Sequence, residues 1–188
     1  MIPIGETAHV RTIRTSARRV SADELEVTGH LFDERPGPDG WRGDGRDRVI
    51  HDMTVTIRVK QPALVITAVE GRMDERPYTL CTNAVPSLDR LVGLSVMQGF
   101  TRALNERFGR QLGCAHLTAL IQAMAPVVKQ GAGAAFDDED ELPRGDRDLW
   151  FVNTCQAWRE DGPLHREVRG GSLEGLRTFS ARAPQPAD

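Results

Sequence analysis

The sequence predicts an α+β fold, in which an antiparallel β-sheet of two hairpins packs against helices on the C-terminal side. Two observations carry this prediction. From His9 to Val69, β-branched and apolar residues recur with a period near two, broken by short polar turns. From Ser87 onward the period changes to that of a helix, with Val96, Met97, Phe100, Leu104 and Phe108 on one stripe. The chain has 188 residues, 39% of them apolar, which suffices for one domain with a hydrophobic core.

The elements follow in order. His9 to Thr15 and Glu24 to Phe32 alternate in part and flank Ser21-Ala22-Asp23, the composition of a hairpin turn. Asp33 to Asp47 is dense in Pro, Gly, Asp and Arg and reads as a long surface loop or flap. Val49 to Val59 alternates cleanly, with Met53, Val55, Ile57 and Val59 on one face. Lys60 to Ala63 breaks the pattern at Pro62, and Leu64 to Val69 resumes it as the second half of a second hairpin. Asp74 to Pro77 reads as a turn, and Tyr78 to Thr82 as a short strand bearing Cys81.

Ser87 is placed to cap a helical turn over Leu88 to Val92, and Ser95 to Phe108 reads as a helix ended by Gly109. Leu117, Leu120, Ile121 and Met124 predict a second helix that Pro126 should kink or stop. Gly131 to Asp148, with the acidic cluster Asp137 to Glu141, reads as a solvated linker. Leu149 to Trp158 is apolar again and reads as a segment that docks on the body; Leu173 to Phe179 reads as a short helix. The expected organisation is a single domain over residues 1–180, with a core at 49–128, an N-terminal β extension at 8–33 and a C-terminal docking segment at 149–180. Residues 181–188 are expected to be a disordered tail.

Composition excludes several classes. A net charge of -3 does not favour non-specific nucleic-acid binding. No apolar run approaches a membrane span, and Met1 to Arg14 lacks the apolar centre of a signal peptide. Three cysteines at unequal spacing do not make a disulfide framework, so free thiols and a cytoplasmic location are expected. Lys60 and Lys129 are the only lysines, and the many arginines fit either a GC-rich coding bias or recognition of anions and carboxylates. Partners on this reading are a small-molecule substrate, with no nucleic acid and no membrane; oligomeric state is not legible.

The chemistry-bearing side chains fall at element ends, where a rigid scaffold can aim several at one point. His51-Asp52 opens a strand, Cys81 follows the second hairpin, and Cys114-Ala115-His116 stands at a helix start. Thiolate, imidazole and carboxylate are the ligands of zinc and iron and the groups of acid/base and nucleophilic catalysis. Each also has an ordinary structural use: a cysteine as a small buried hydrophobe, a histidine as a hydrogen-bonded core residue, Asp52 as a turn cap. His9, His30 and His165 have no partner in the sequence and carry no expected role.

Residues 50 to 127 resemble the NifU/IscU-type iron–sulfur scaffold domain in the order of their elements. Asp52 matches the scaffold aspartate, Cys81 its second cysteine, and Cys114 with Leu117 the Cys-x-x-Leu of its last helix. Ile50 stands where that domain has its first cysteine and Gly113 where it has a histidine, so cluster assembly is not implied. Most of the chain is also similar to a bacterial domain-of-unknown-function family (DUF2889-like). His51-Asp52-Met53, Cys81, Leu91-Val92-Gly93, Gly113 to Leu117 and Cys155-Gln156-Ala157-Trp158 carry that similarity.

The sequence-level expectation is a metal-binding small-molecule enzyme. Asp52, Cys81, Cys114 and His116 would hold zinc or iron, His51 and Asp52 would do the acid/base work, and Cys155 and Trp158 would back or face the site. Metal-assisted hydrolysis or lyase chemistry is favoured. A non-catalytic metal-binding or sulfur carrier, and a metal-free cysteine-dependent enzyme or interaction module, stay open as alternatives.

Overall fold

The structure, a computed structural model, describes residues 4–36, 48–97, 99–136 and 151–171. The chain divides into two compact units, 1–137 and 138–188, each described by itself.

In the first unit, four strands form one antiparallel sheet in sequence order: β1 (Val10–Arg19), β2 (Glu24–Arg35), β3 (Arg48–Lys60) and β4 (Val65–Glu75). With the helices below, this is the α+β architecture read from the sequence. Alternation puts Leu25, Val27, Leu31, Met53, Val55, Ile57 and Val59 on one face, all essentially without solvent exposure. The other face carries Glu26, Thr28, Thr54, Thr56 and Arg58, paired across strands by ion pairs and a Thr28–Thr56 contact.

Helix α2 (Ala115–Phe136) covers the apolar face, resting mainly on β1 and β2 through Leu117, Leu120, Ile121, Met124 and Val128. Glycine is what lets it approach: a Cβ at Gly29 of β2 would lie 2.7 Å from the Met124 sulfur and 2.9 Å from Leu120 Cδ1. Fully burying a side chain of this size contributes about 1.5–3 kcal/mol relative to leaving it exposed.

Several boundaries differ from the sequence reading. β2 continues to Arg35, so Asp33 to Arg35 are strand rather than loop; the remainder of that expected loop, 37–47, lies outside the described residues. β4 runs to Glu75, through the first half of the expected turn at Asp74. The segment expected as a strand at Tyr78 to Thr82 is a 3₁₀ turn, Thr79–Ala84, bracketed by Pro77 and Pro86 and closed by Thr82 Oγ1 donating to the Thr79 carbonyl at 3.0 Å. A second 3₁₀ turn, Pro86–Leu91, takes Ser87 inside it rather than as its cap.

Helix α1 is Phe100–Phe108 only. Its start is set by Gly99 in the left-handed region (φ 83), which a helix cannot pass through, while Ser95 instead bridges Val65 beside the sheet. Pro126 does not end α2. It sits on the exposed side, where the buried side chains Val128 and Ala132 on the opposite side keep the helix seated through the residues expected as linker, Gly131 to Phe136. The acidic cluster 137–141, the expected helix at 173–179 and the expected tail lie outside the described residues.

In the second unit, residues 151–171 hold a turn in which Phe151 and Trp158 rings meet at 4.3 Å, followed by α3 (Pro163–Arg169). His165 is buried there and accepts from the Asp161 backbone N–H at 2.9 Å, a structural use of that imidazole. Among the described residues, no helix is long and apolar enough to cross a membrane.

Candidate active site

The apolar face of the sheet turns polar at one end, and it does so along a single row. Arg11, Asp33 and His51 are Cα partners across β1, β2 and β3. Each continues the core-facing parity of its strand: Ile13 and Ala17 after Arg11, Leu31 before Asp33, Met53 after His51. Directly beyond this row the β2–β3 register slips between Asp33 and Glu34, and the extra residue, Ile50, is buried beside His51. A bulge bends its strand and re-aims the neighbouring side chains.

Asp33 has no solvent exposure, and both of its oxygens are engaged. Arg11 holds it as a fork, Nε to Oδ1 and Nη2 to Oδ2, both at 2.7 Å. His51 Nδ1 lies 2.8 Å from Oδ2, and His9 Nε2 lies 3.4 Å from Oδ1. Burial by itself would raise the Asp33 pKa, but the hydrogen bonds and charges of Arg11 and His51 outweigh it and hold the pKa at about 2. The same bond raises the Arg11 pKa. Asp33 is therefore ionised at neutral pH and accepts the His51 Nδ1–H. That fixes the tautomer and leaves His51 Nε2 as the working nitrogen.

From the other layer, the first turn of α2 brings His116 against this pair. The His51 and His116 rings stack with centroids 3.8 Å apart and planes tilted by 34°. Cys114, just before the helix, lies with its Sγ 3.8 Å from His116 Nδ1, and its carbonyl accepts from the Thr118 N–H and hydroxyl. Burial, and next the charges of His51 and Arg11, lower the His116 pKa. His116 is accordingly a neutral base at neutral pH.

His51 is 6% exposed, and among the described residues its Nε2 makes no hydrogen bond. A buried imidazole oriented through one nitrogen by a carboxylate is the arrangement that general acid/base catalysis uses, the other nitrogen being the one that exchanges the proton.

The residues singled out in the sequence are distributed as follows. His51, His116 and Cys114 come together. Asp52, the next residue on β3, points to the opposite face and pairs with His30 Nε2 at 2.7 Å. Cys81 is half-buried in the first 3₁₀ turn and packs against the hydrophobic core. Cys155 is exposed and Trp158 half-buried, both in the second unit. Among the described residues, the group whose metal-ligand atoms lie within 4.8 Å of one another is Asp33, His51 and His116. Asp33, Arg11 and His9 were not picked out in the sequence. His9 and Arg11 lie on the Ile13 parity within the strand read at His9 to Thr15, and extending the strand read at Glu24 to Phe32 by one position reaches Asp33.

A protein-family model described as "Protein of unknown function (DUF2889)" matches residues 9–130, a span that holds every residue of this centre. No curated protein and no solved structure matches the chain.

Proposed function

The chain belongs to the DUF2889 family, and we propose that it is a small-molecule enzyme of hydrolase or lyase type whose working groups are His51 and His116. The observation that supports this reading is the stacked pair itself. One imidazole is buried and oriented by an ionised carboxylate, and the second is kept neutral beside it. Two histidines in such different settings divide the labour of acid and base. Asp33 holds His51 so that Nε2 takes or gives the proton, and His116 serves the other end of the transfer. Arg11 acts through Asp33, fixing its position and charge. Cys114 beside His116 adds a thiol within reach of the same base.

A panel of small esters, thioesters, amides and hydroxy acids is the first screen. On whichever substrate turns over, His51→Gln and His116→Gln should each lower kcat by about 10²–10⁴, while Cys81→Ala and Asp52→Asn retain most of it. Full activity in both histidine variants would end this reading.

The clustering of Asp33, His51 and His116 also favours a second reading, in which the centre holds zinc or iron. The chemistry of the donors fits. Free nitrogens on His51 and His116 would bind the ion, and Asp33, with both oxygens already held, would orient His51 from behind in the carboxylate–histidine–metal manner. The ion would polarise a substrate carbonyl or activate water. Metal analysis of untagged protein separates the two readings. Near-stoichiometric zinc or iron that is lost in His51→Ala and His116→Ala supports the metal centre; metal-free protein with intact turnover rejects it.

A further inference from the structure

We infer that Cys114 and His116 form a nucleophile–base dyad, in which the Cys114 sulfur attacks an activated acyl group, that of an ester or thioester. The inference rests on the enzyme reading above and adds the attacking atom and the class of substrate.

The backbone places the thiol. Gly113 packs so tightly on the end of α1 that a Cβ there would collide with the Phe108 carbonyl oxygen and lie 2.8 Å from two carbons of its ring. On the other side, the Cys114 carbonyl accepts the Thr118 N–H at 2.8 Å and the Thr118 hydroxyl at 2.9 Å. Cys114 is thereby fixed at the junction of two packed elements, where a side chain can be aimed. Two positions apart within a regular helix, a thiol and an imidazole would diverge. Here α2 begins at Ala115, so Cys114 stands outside it, and its Sγ comes to 3.8 Å from His116 Nδ1.

The base is itself held. The His116 ring stacks on His51, and Asp33 anchors His51 at Nδ1. A nucleophile, a base beside it and groups that orient the base are the parts of covalent catalysis, and such contacts are commonly longer before substrate is bound. Among the described residues the thiol–imidazole contact belongs to Cys114. Cys114 is half-buried, so the core supports it without sealing it.

In the first step His116 takes the thiol proton and sulfur attacks the acyl carbon. A carbon–sulfur bond forms, the bond to the leaving oxygen or sulfur breaks with its electron pair, and the leaving group takes the proton from His116. Water then attacks the resulting thioester and gives a proton to His116. The carbon–sulfur bond breaks, the acid departs, and His116 returns the proton to Cys114. The net change is hydrolysis of the acyl bond, with no other reactant.

The three free cysteines supply the test. Full-length protein is treated with limiting iodoacetamide at neutral pH, and alkylation of each cysteine is followed by peptide mass mapping. Exposure alone would make Cys155, the exposed thiol, the fastest. The dyad predicts the reverse, with Cys114 at least about tenfold faster than Cys155 in wild type, a comparison that needs no variant. His116→Gln should slow Cys114 at least about tenfold and leave Cys155 unchanged. In a second arm, p-nitrophenyl acetate followed by acid quenching should leave one acetyl group on Cys114, and none in Cys114→Ala. Alkylation of Cys155 as fast as Cys114, no effect of His116→Gln on Cys114, or no acetyl group on Cys114 would each overturn the inference. If turnover is still lost in His51→Gln and His116→Gln, the acid/base reading stands without a covalent step. Full turnover in both histidine variants removes the enzyme reading itself.

Discussion

His51 and His116 stack at 3.8 Å although a strand supplies one and a helix the other. The contact ties the chemistry of the centre to the packing of its two layers. His51 is held from the sheet by Asp33, and His116 is carried by α2, whose seat on β1 and β2 decides how close the rings come. Anything that alters the charge on the row Arg11–Asp33–His51, or lifts the helix, is read out at this pair.

Acid should weaken the fold through Asp33. Its folded pKa, about 2, lies below the usual carboxylate value of about 3.9. A depressed pKa contributes stability that is fully present above the unfolded value and is lost as pH falls through the folded one. The shift corresponds to about 2 kcal/mol. Urea unfolding near neutrality and at about pH 3 should show this contribution shrinking in wild type. In Asp33→Asn, stability near neutrality should drop by about 2 kcal/mol, with a flatter acid profile. Parallel pH profiles for the two proteins would contradict the assignment.

The His116 ring should titrate below the ordinary histidine range. Burial is the main cause and the charge on His51 the next. In an NMR titration the His116 ring protons should shift at a lower pH than those of an exposed histidine, and His51→Gln should move that midpoint upward by removing the like charge. The stability linked to a neutral His116 is present above the unfolded histidine value of about 6.5 and is lost as pH falls from there through the lowered folded value. His116→Gln should remove that part of the pH dependence. An ordinary or raised His116 midpoint would mean the ring is not desolvated as described.

The sheet was legible because alternation is a local property, and Met53 to Val59 displayed it without interruption. Half of the centre was legible for the same reason, since Cys114 and His116 are neighbours in the chain. Asp33 was not, because it opens a Pro- and Gly-rich run that reads as loop, and an acid on the core-facing parity contradicts the apolar pattern until its partners are known. Those partners come from β1 and β3, and no local pattern reports a pairing between strands. Asp52 shows the complementary error. It stands beside His51 in sequence, and one residue along a strand is enough to turn it to the other face. The start of α1 was missed by five residues because the apolar stripe runs on through Val96 and Met97, while the left-handed backbone at Gly99 forbids a helix there.

Gly29 should control both stability and the histidine pair. It lies in β2 under α2, where an added Cβ would meet Met124 Sδ at 2.7 Å, Met124 Cγ at 2.8 Å and Leu120 Cδ1 at 2.9 Å. Met124 is unbranched and yields more readily than Leu120, but both are fully buried and neither can leave without opening the core. Overpacking of this kind costs about 1–3 kcal/mol, so Gly29→Ala should lower Tm. Because the clash pushes on α2, the variant should also separate His116 from His51, visible as changed ring shifts for both histidines. Adding Met124→Ala makes room for the methyl group, so the double variant should lose less than the sum of the two single changes and recover the histidine shifts. Strict additivity, or unchanged histidine shifts in Gly29→Ala, would show that the seat of α2 on β2 does not set the spacing of the pair.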